Sequence, residues 1–259
     1  MATGQQHGGP GNGNWFDKHV DNSLLAVLAL LLKLAHTSTL RVLGLRWEGS
    51  LAASVVPLLL TALLFLGPLA QWALDGPHSK DGHYQSPRWL LAARNYVVGP
   101  ITEEFVFRAC MAPFLVLQGF SIRSTVLLTP LLFGVAHLHH CLELVRHQRC
   151  KISDAIPVLA VQFGYTTVFG WYATYLFLRT GHLLAPLVAH TFCNVMGFPA
   201  FQQVPSHRHA KMLSVLFVTG VASFTLLVGP ATGPWLYRNV PLSGTGNLYF
   251  ENLQQPAFT

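Results

Sequence analysis

Glu103 and Glu104 stand side by side in Pro100-Ile-Thr-Glu-Glu-Phe-Val-Phe-Arg-Ala-Cys-Met111, and Arg108 follows them four and five residues on. The surroundings make the pair conspicuous, because charged residues are only 10% of the chain and hydrophobic ones 51%. A carboxylate within a membrane span costs roughly 2.5–3.5 kcal/mol on insertion scales, so such a residue is a functional candidate by default. His137, His190 and Asn194 lie downstream, each in an apolar segment. Acids, imidazoles and an amide in that setting suit proton chemistry inside a bilayer.

Helix geometry sorts these side chains. Residues four apart share a face and adjacent ones point about 100° apart. Glu104 and Arg108 are therefore neighbours, in the favourable order of acid before base, and Glu103 is left without that partner. One acid is then held ionised by Arg108 while the other is freer to exchange a proton. The plainer alternative is a buried ionic brace made of both acids and Arg108. His137 follows Phe133 by one turn in Phe133-Gly-Val-Ala-His-Leu-His-His140, so Phe133 is expected to shield the imidazole from lipid. His139 and His140 read as interfacial. His190 and Asn194 are also one turn apart. Both can donate hydrogen bonds, either to a developing oxyanion or simply between packed helices.

The elements that must position these groups are helices. Residues 51–74, 155–178 and 212–235 are long enough and uncharged enough to cross a bilayer, which takes about 20 apolar residues. The expected architecture is all-α, a polytopic integral-membrane bundle of about 7–8 transmembrane helices. Residues 1–21 are expected to be a disordered polar N-terminus, 22–239 a single transmembrane domain and 240–259 a flexible tail. Pro57 and Pro68 are possible kinks in the first clear span. Residues 89–118 should be helical but broken or bent at Gly99-Pro100, with Thr102 or that turn capping the segment that carries the acids.

The net charge of +6 is spread over connecting segments such as Arg41, Arg46, Arg146, Arg149 and Lys151. That spread suits anchoring on anionic lipid, and no basic run is dense enough for a nucleic-acid surface. Cys110, Cys141, Cys150 and Cys193 make neither a CxxC pair nor a zinc-finger spacing and read as free thiols.

Glu-Glu-x-x-x-Arg, Phe-x-x-x-His and His-x-x-x-Asn together resemble the three motifs of the CPBP (ABI) intramembrane proteases. Arg179-Thr-Gly-His182 and His190-Thr-Phe-Cys-Asn-Val-Met-Gly-Phe-Pro199 are similar to the eukaryotic type II CAAX prenyl endopeptidases in particular. The resemblance runs from about residue 41 to residue 238, with an N-terminal third shorter than usual. It implies removal of the aaX tripeptide from farnesylated or geranylgeranylated CAAX-tail proteins at the endoplasmic reticulum membrane, with no cofactor and no required metal. By that resemblance Glu103 and His137 hold and activate a water, and His190 and Asn194 stabilise the oxyanion. Arg108 and Glu104 support the site, Glu104 sharing in catalysis. The rival readings are a zinc protease using the same acids and histidines, a proton-coupled transporter and a silent binder of prenylated tails. The chain lacks His-Glu-x-x-His and shows no inverted repeat.

Overall fold

The computed structural model describes residues 39–76, 88–136 and 152–237, and every regular element among them is helical. His137, His139, His140, Cys141 and Cys150 lie outside the described residues. After a single turn, α1 (Thr39–Val42), come α2 (Ser50–Leu64) and α3 (Leu66–Asp75). A composite helix, α4, occupies residues 88–117. It is followed by α5 (Ile122–Ala136), α6 (Ile152–Thr180), α7 (Leu184–Met196) and α8 (Ala210–Ala231).

The first apolar run is not one gently kinked span. α2 and α3 meet at 73°, and the break falls at Phe65 instead of at either proline. Pro57 sits inside α2, where its carbonyl accepts the Thr61 hydroxyl at 2.7 Å. Pro68 sets the break from a distance, since its ring collides with the carbonyl four residues back and it donates no N–H. That carbonyl belongs to Leu64, the last residue of α2. α8 fills the elbow: a Cβ on Gly67 would stand 2.4 Å from the Phe217 ring.

α4 does not break at Gly99-Pro100. Its segments Arg88–Ala93, Gly99–Glu104 and Ala112–Leu117 are α-helical, those between them, Arg94–Val98 and Phe105–Met111, are π-helical, and the residues at every junction keep right-handed helical dihedrals. The Gly99 N–H reaches back five residues to the Arg94 carbonyl. This widened turn just ahead of Pro100 lets the chain absorb the proline without a kink. Thr102 caps nothing; its hydroxyl donates back to the carbonyls of Val98 and Gly99, each at 2.9 Å.

Small residues make the closest contacts. Ala109 and Ala112 of α4 pack with Val116 against Phe177, Leu178 and Leu183. Ala53 of α2 and Ala185 and Ala189 of α7 pack with Leu176 and Tyr237. Such residues let helix backbones approach closely. α8 is long and apolar enough to cross a membrane, and the bent pair α2–α3 passes the same test only when counted as one span. Only 11% of the apolar stretch of α8 is buried within the bundle, with Val218 and Leu226 facing outward.

At one end the Arg46 guanidinium donates to the carbonyls of Thr180 (2.8 Å), Gly181 (3.0 Å) and Tyr237 (3.1 Å). Beside it His182 is buried, and its Nδ1 accepts the Leu184 N–H at 3.3 Å. Burial, and then the Arg46 charge, hold this imidazole below the ordinary histidine range, against a smaller opposing pull from the Arg46 contact and from Glu48. The native chain thus favours neutral His182. Its contribution is whole above the unfolded-state pKa of about 6.5 and is lost as pH falls from there toward the depressed native value. The thermal midpoint in detergent should therefore drop as pH falls below about 6.5. His182→Asn, which keeps an acceptor but cannot be protonated, should flatten that slope; an unchanged slope would contradict the assignment.

Candidate active site

The site is built where α4 meets α7. The spacing of Glu104 and Arg108 is realised as an ion pair, Nη1 to Oε1 at 3.0 Å, with both side chains fully buried. Burying two charges costs several kcal/mol per ion unless geometry and further hydrogen bonds compensate. The surroundings supply part of that. Arg108 Nη2 donates to the Gly170 carbonyl at 3.4 Å, and the guanidinium lies over the Phe133 ring (5.4 Å to the centroid) and the Phe169 ring (6.0 Å). Phe133 also meets Phe107 edge-on at 4.8 Å. In the described structure Phe133 is thus seen packing on Arg108, while the histidine it was expected to shield lies outside the described residues.

Glu104 has a second partner that spacing within one helix does not reveal. The same Oε1 that accepts Arg108 stands 2.6 Å from His190 Nδ1. A carboxylate held by a guanidinium can only accept, so the bond requires a proton on Nδ1. The ring is further fixed by Phe169 at 4.9 Å. Its other nitrogen, Nε2, faces Glu103 Oε2 at 3.8 Å. Glu103 keeps a third of its side-chain surface exposed, whereas Glu104 has none. Two adjacent acids thus occupy opposite environments, one locked between two cations or donors and one open.

Asn194, one turn beyond His190, is exposed, and its Nδ2 donates to the Asn95 carbonyl at 2.9 Å. The Thr191 hydroxyl donates to the neighbouring carbonyl of Tyr96 at 3.1 Å. The structure therefore brings Glu103, Glu104, Arg108, Phe133 and His190 together and sets Asn194 at their margin. Asn95, Tyr96, Thr191, Phe169 and Gly170 are additions to the sequence-derived set. The signal for the first two was Pro100, whose missing N–H leaves carbonyls four or five residues earlier short of a donor.

Residues 85–196 match the family described as Type II CAAX prenyl endopeptidase Rce1-like. The chain is 42% identical to CAAX prenyl protease 2 of Homo sapiens over 219 residues, which is 80% of this chain and 65% of the human protein. It is 38% identical to CAAX prenyl protease 2 of Arabidopsis thaliana, across 77% of this chain and 70% of that one. The chain belongs to the type II CAAX prenyl endopeptidase family. The Caenorhabditis elegans CAAX prenyl protease 2 is 31% identical, over 81% of this chain and 80% of its own length. No solved structure matches. The family match ends at Met196, so it spans α4 and α7 and contains every residue of the constellation.

Within this member of the type II CAAX prenyl endopeptidase family the Arg108–Glu104 pair carries a stability signature. Replacing Arg108 by Met leaves a buried carboxylate with one donor, and breaking a buried pair in this way costs about 3–5 kcal/mol. The unfolding free energy in mixed micelles should fall by that order. Adding Glu104→Gln should return part of it, because a neutral amide no longer needs the guanidinium. A neutral Arg108→Met variant would contradict the buried pair.

Proposed function

We propose that this chain is an intramembrane endopeptidase that removes the aaX tripeptide from prenylated CAAX tails by means of a water activated by glutamate and histidine. The observation that carries the reading is the asymmetry of the two acids around His190. Glu104 is consumed by Arg108 and Nδ1, and Glu103 stands open opposite Nε2. An open carboxylate can take a proton from water, and a ring anchored from behind can present its far nitrogen to a reacting carbonyl.

In this mechanism Glu103, with His137, holds a water and accepts its proton as the oxygen attacks the carbonyl carbon of the prenylated Cys itself. The tetrahedral oxyanion is met by His190 Nε2–H and by the Asn194 carboxamide. Glu104 supplies the countercharge that a ring protonated on both nitrogens requires. Collapse breaks the C–N bond, and the proton held on Glu103 passes to the departing amine, so no covalent intermediate is needed. Metal-free hydrolysis is favoured over zinc because Glu104 Oε1 and His190 Nδ1 are already committed to each other and to Arg108.

An apolar cavity of about 520 Å³ lies alongside, walled by Leu58 of α2, Val97 and Ile101 of α4, and Leu187, Val188 and Phe192 of α7. Tyr96 and Thr191 also line it, which places it within a turn of His190 and Asn194. Its walls suit a farnesyl or geranylgeranyl chain, so the substrates in this reading are prenylated CAAX-tail proteins. The same reading makes the chain a multi-pass protein of the endoplasmic reticulum membrane with about seven to eight spans. The outward apolar faces of α8 support lipid contact.

The test is release of the tripeptide from a farnesylated Cys-a-a-X peptide by the full chain in lipid. Glu103→Ala should lower the rate about 100-fold or more, the usual weight of a general base, and a chelator should leave the parent rate unchanged. Inhibition by chelator with recovery on added zinc would favour the metalloprotease. A folded parent that cleaves nothing would favour a proton-coupled transporter.

A further inference from the structure

We infer that Thr191 is a positioning residue for the Asn194 carboxamide, and that it acts through two backbone carbonyls that Pro100 leaves short of a donor in α4. The inference rests on the assignment of Asn194 to the oxyanion made above.

Pro100 donates no N–H. In an α-helix that N–H would go to the Tyr96 carbonyl, and in the π register seen just before it, where Gly99 bonds to Arg94, to the Asn95 carbonyl. Those two adjacent carbonyls share the loss of one donor, in a helix whose polar groups must be satisfied by protein. They are the two that α7 meets, Tyr96 through the Thr191 hydroxyl at 3.1 Å and Asn95 through Asn194 Nδ2 at 2.9 Å. Residues 191 and 194 are three apart and lie on one helix face, so they reach neighbouring carbonyls together.

Thr191 departs from several other helical threonines among the described residues. Thr61, Thr129, Thr166 and Thr180 each donate to the carbonyl four residues earlier in their own helix, at 2.7–2.9 Å. Thr191 instead donates across to α4. A planar carboxamide with one N–H held on Asn95 has its second N–H fixed in direction and free for the oxyanion. Without the Thr191 hydroxyl the Tyr96 carbonyl loses that donor, and the Asn194 carboxamide, bonded to the adjoining Asn95 carbonyl, is drawn toward it. Both N–H groups are then drawn to backbone, and the reaction loses one of its donors while the apolar cavity, which Thr191 lines, keeps its size because Val and Thr are nearly isosteric.

The experiment compares Thr191→Val, Thr191→Ser, Asn194→Ala and the double variant T191V/N194A as full chains in lipid, with farnesylated peptide as substrate. Thr191→Val should lower kcat about 10-fold, the scale of a small misplacement in a reacting site, with KM within about twofold. Thr191→Ser should recover most of the rate. In the Asn194→Ala background Thr191→Val should cost almost nothing further, because its effect passes through that amide. A kcat unchanged in Thr191→Val, or a loss of equal size in both backgrounds, would overturn the inference. A readout independent of activity comes from carbonyl-¹³C tyrosine with ¹⁵N valine, which isolates Tyr96, since Tyr96-Val97 is the only Tyr-Val pair in the chain. That carbonyl resonance should move in Thr191→Val and return in Thr191→Ser; if it stays put, the contact is absent. Should the parent cleave nothing, the failure belongs to the reading of the site, and the resonance alone then decides the contact.

Discussion

One oxygen atom organises the site. Glu104 Oε1 receives Arg108 from its own helix and His190 from α7, with no solvent exposure on either Glu104 or Arg108. A lone buried carboxylate would be driven to neutralise itself. Paired with a guanidinium at 3.0 Å it acts as an acceptor, and that calls for a proton on the His190 nitrogen facing it. The orientation of His190, the direction of its Nε2 and the separation from Glu103 all follow from that single acceptor. The aromatic rings of Phe133 and Phe169 cover the cation and exclude competing water, which strengthens the electrostatics they enclose.

The backbone contributes as much as the side chains. A proline inside an apolar helix leaves a carbonyl without its usual donor, and an apolar surround offers little water to replace it. This chain meets that problem in two different ways. At Pro68 the helix ends at Leu64, four residues earlier, and turns by 73°, which makes the elbow that α8 packs into. At Pro100 the helix continues by widening to a π turn, and the under-satisfied carbonyls become acceptors for α7. The second solution ties the helix bearing His190 to the helix bearing the acids at neighbouring points, so the geometry of the site is over-determined by backbone and side chain together.

These differences also explain what could and could not be read from sequence. The Glu104–Arg108 pair was legible because it lies within one helix at a fixed spacing. The Glu104–His190 bond was not, because it joins residues 86 positions apart, and no periodicity encodes which helices touch. The spacing argument assigned Glu104 to Arg108 alone, whereas the structure gives the same oxygen two partners. A break at Gly99-Pro100 was a fair expectation from proline chemistry, and it failed because π widening accommodates proline without a kink. Asn95 and Tyr96 act through their carbonyls, so their side-chain types carried no signal. The family, by contrast, was legible from three short motifs, since each compresses helix geometry and chemistry into a few residues.

The measurement that bears most directly on the shared oxygen is the side-chain ¹⁵N spectrum of His190 in lipid, assigned by difference from His190→Asn. The account predicts a proton on Nδ1 in a strong hydrogen bond to a carboxylate, and the loss of that strong bond in Glu104→Gln. A ring whose Nδ1 is bare and whose proton sits on Nε2, or a spectrum indifferent to Glu104→Gln, would contradict it.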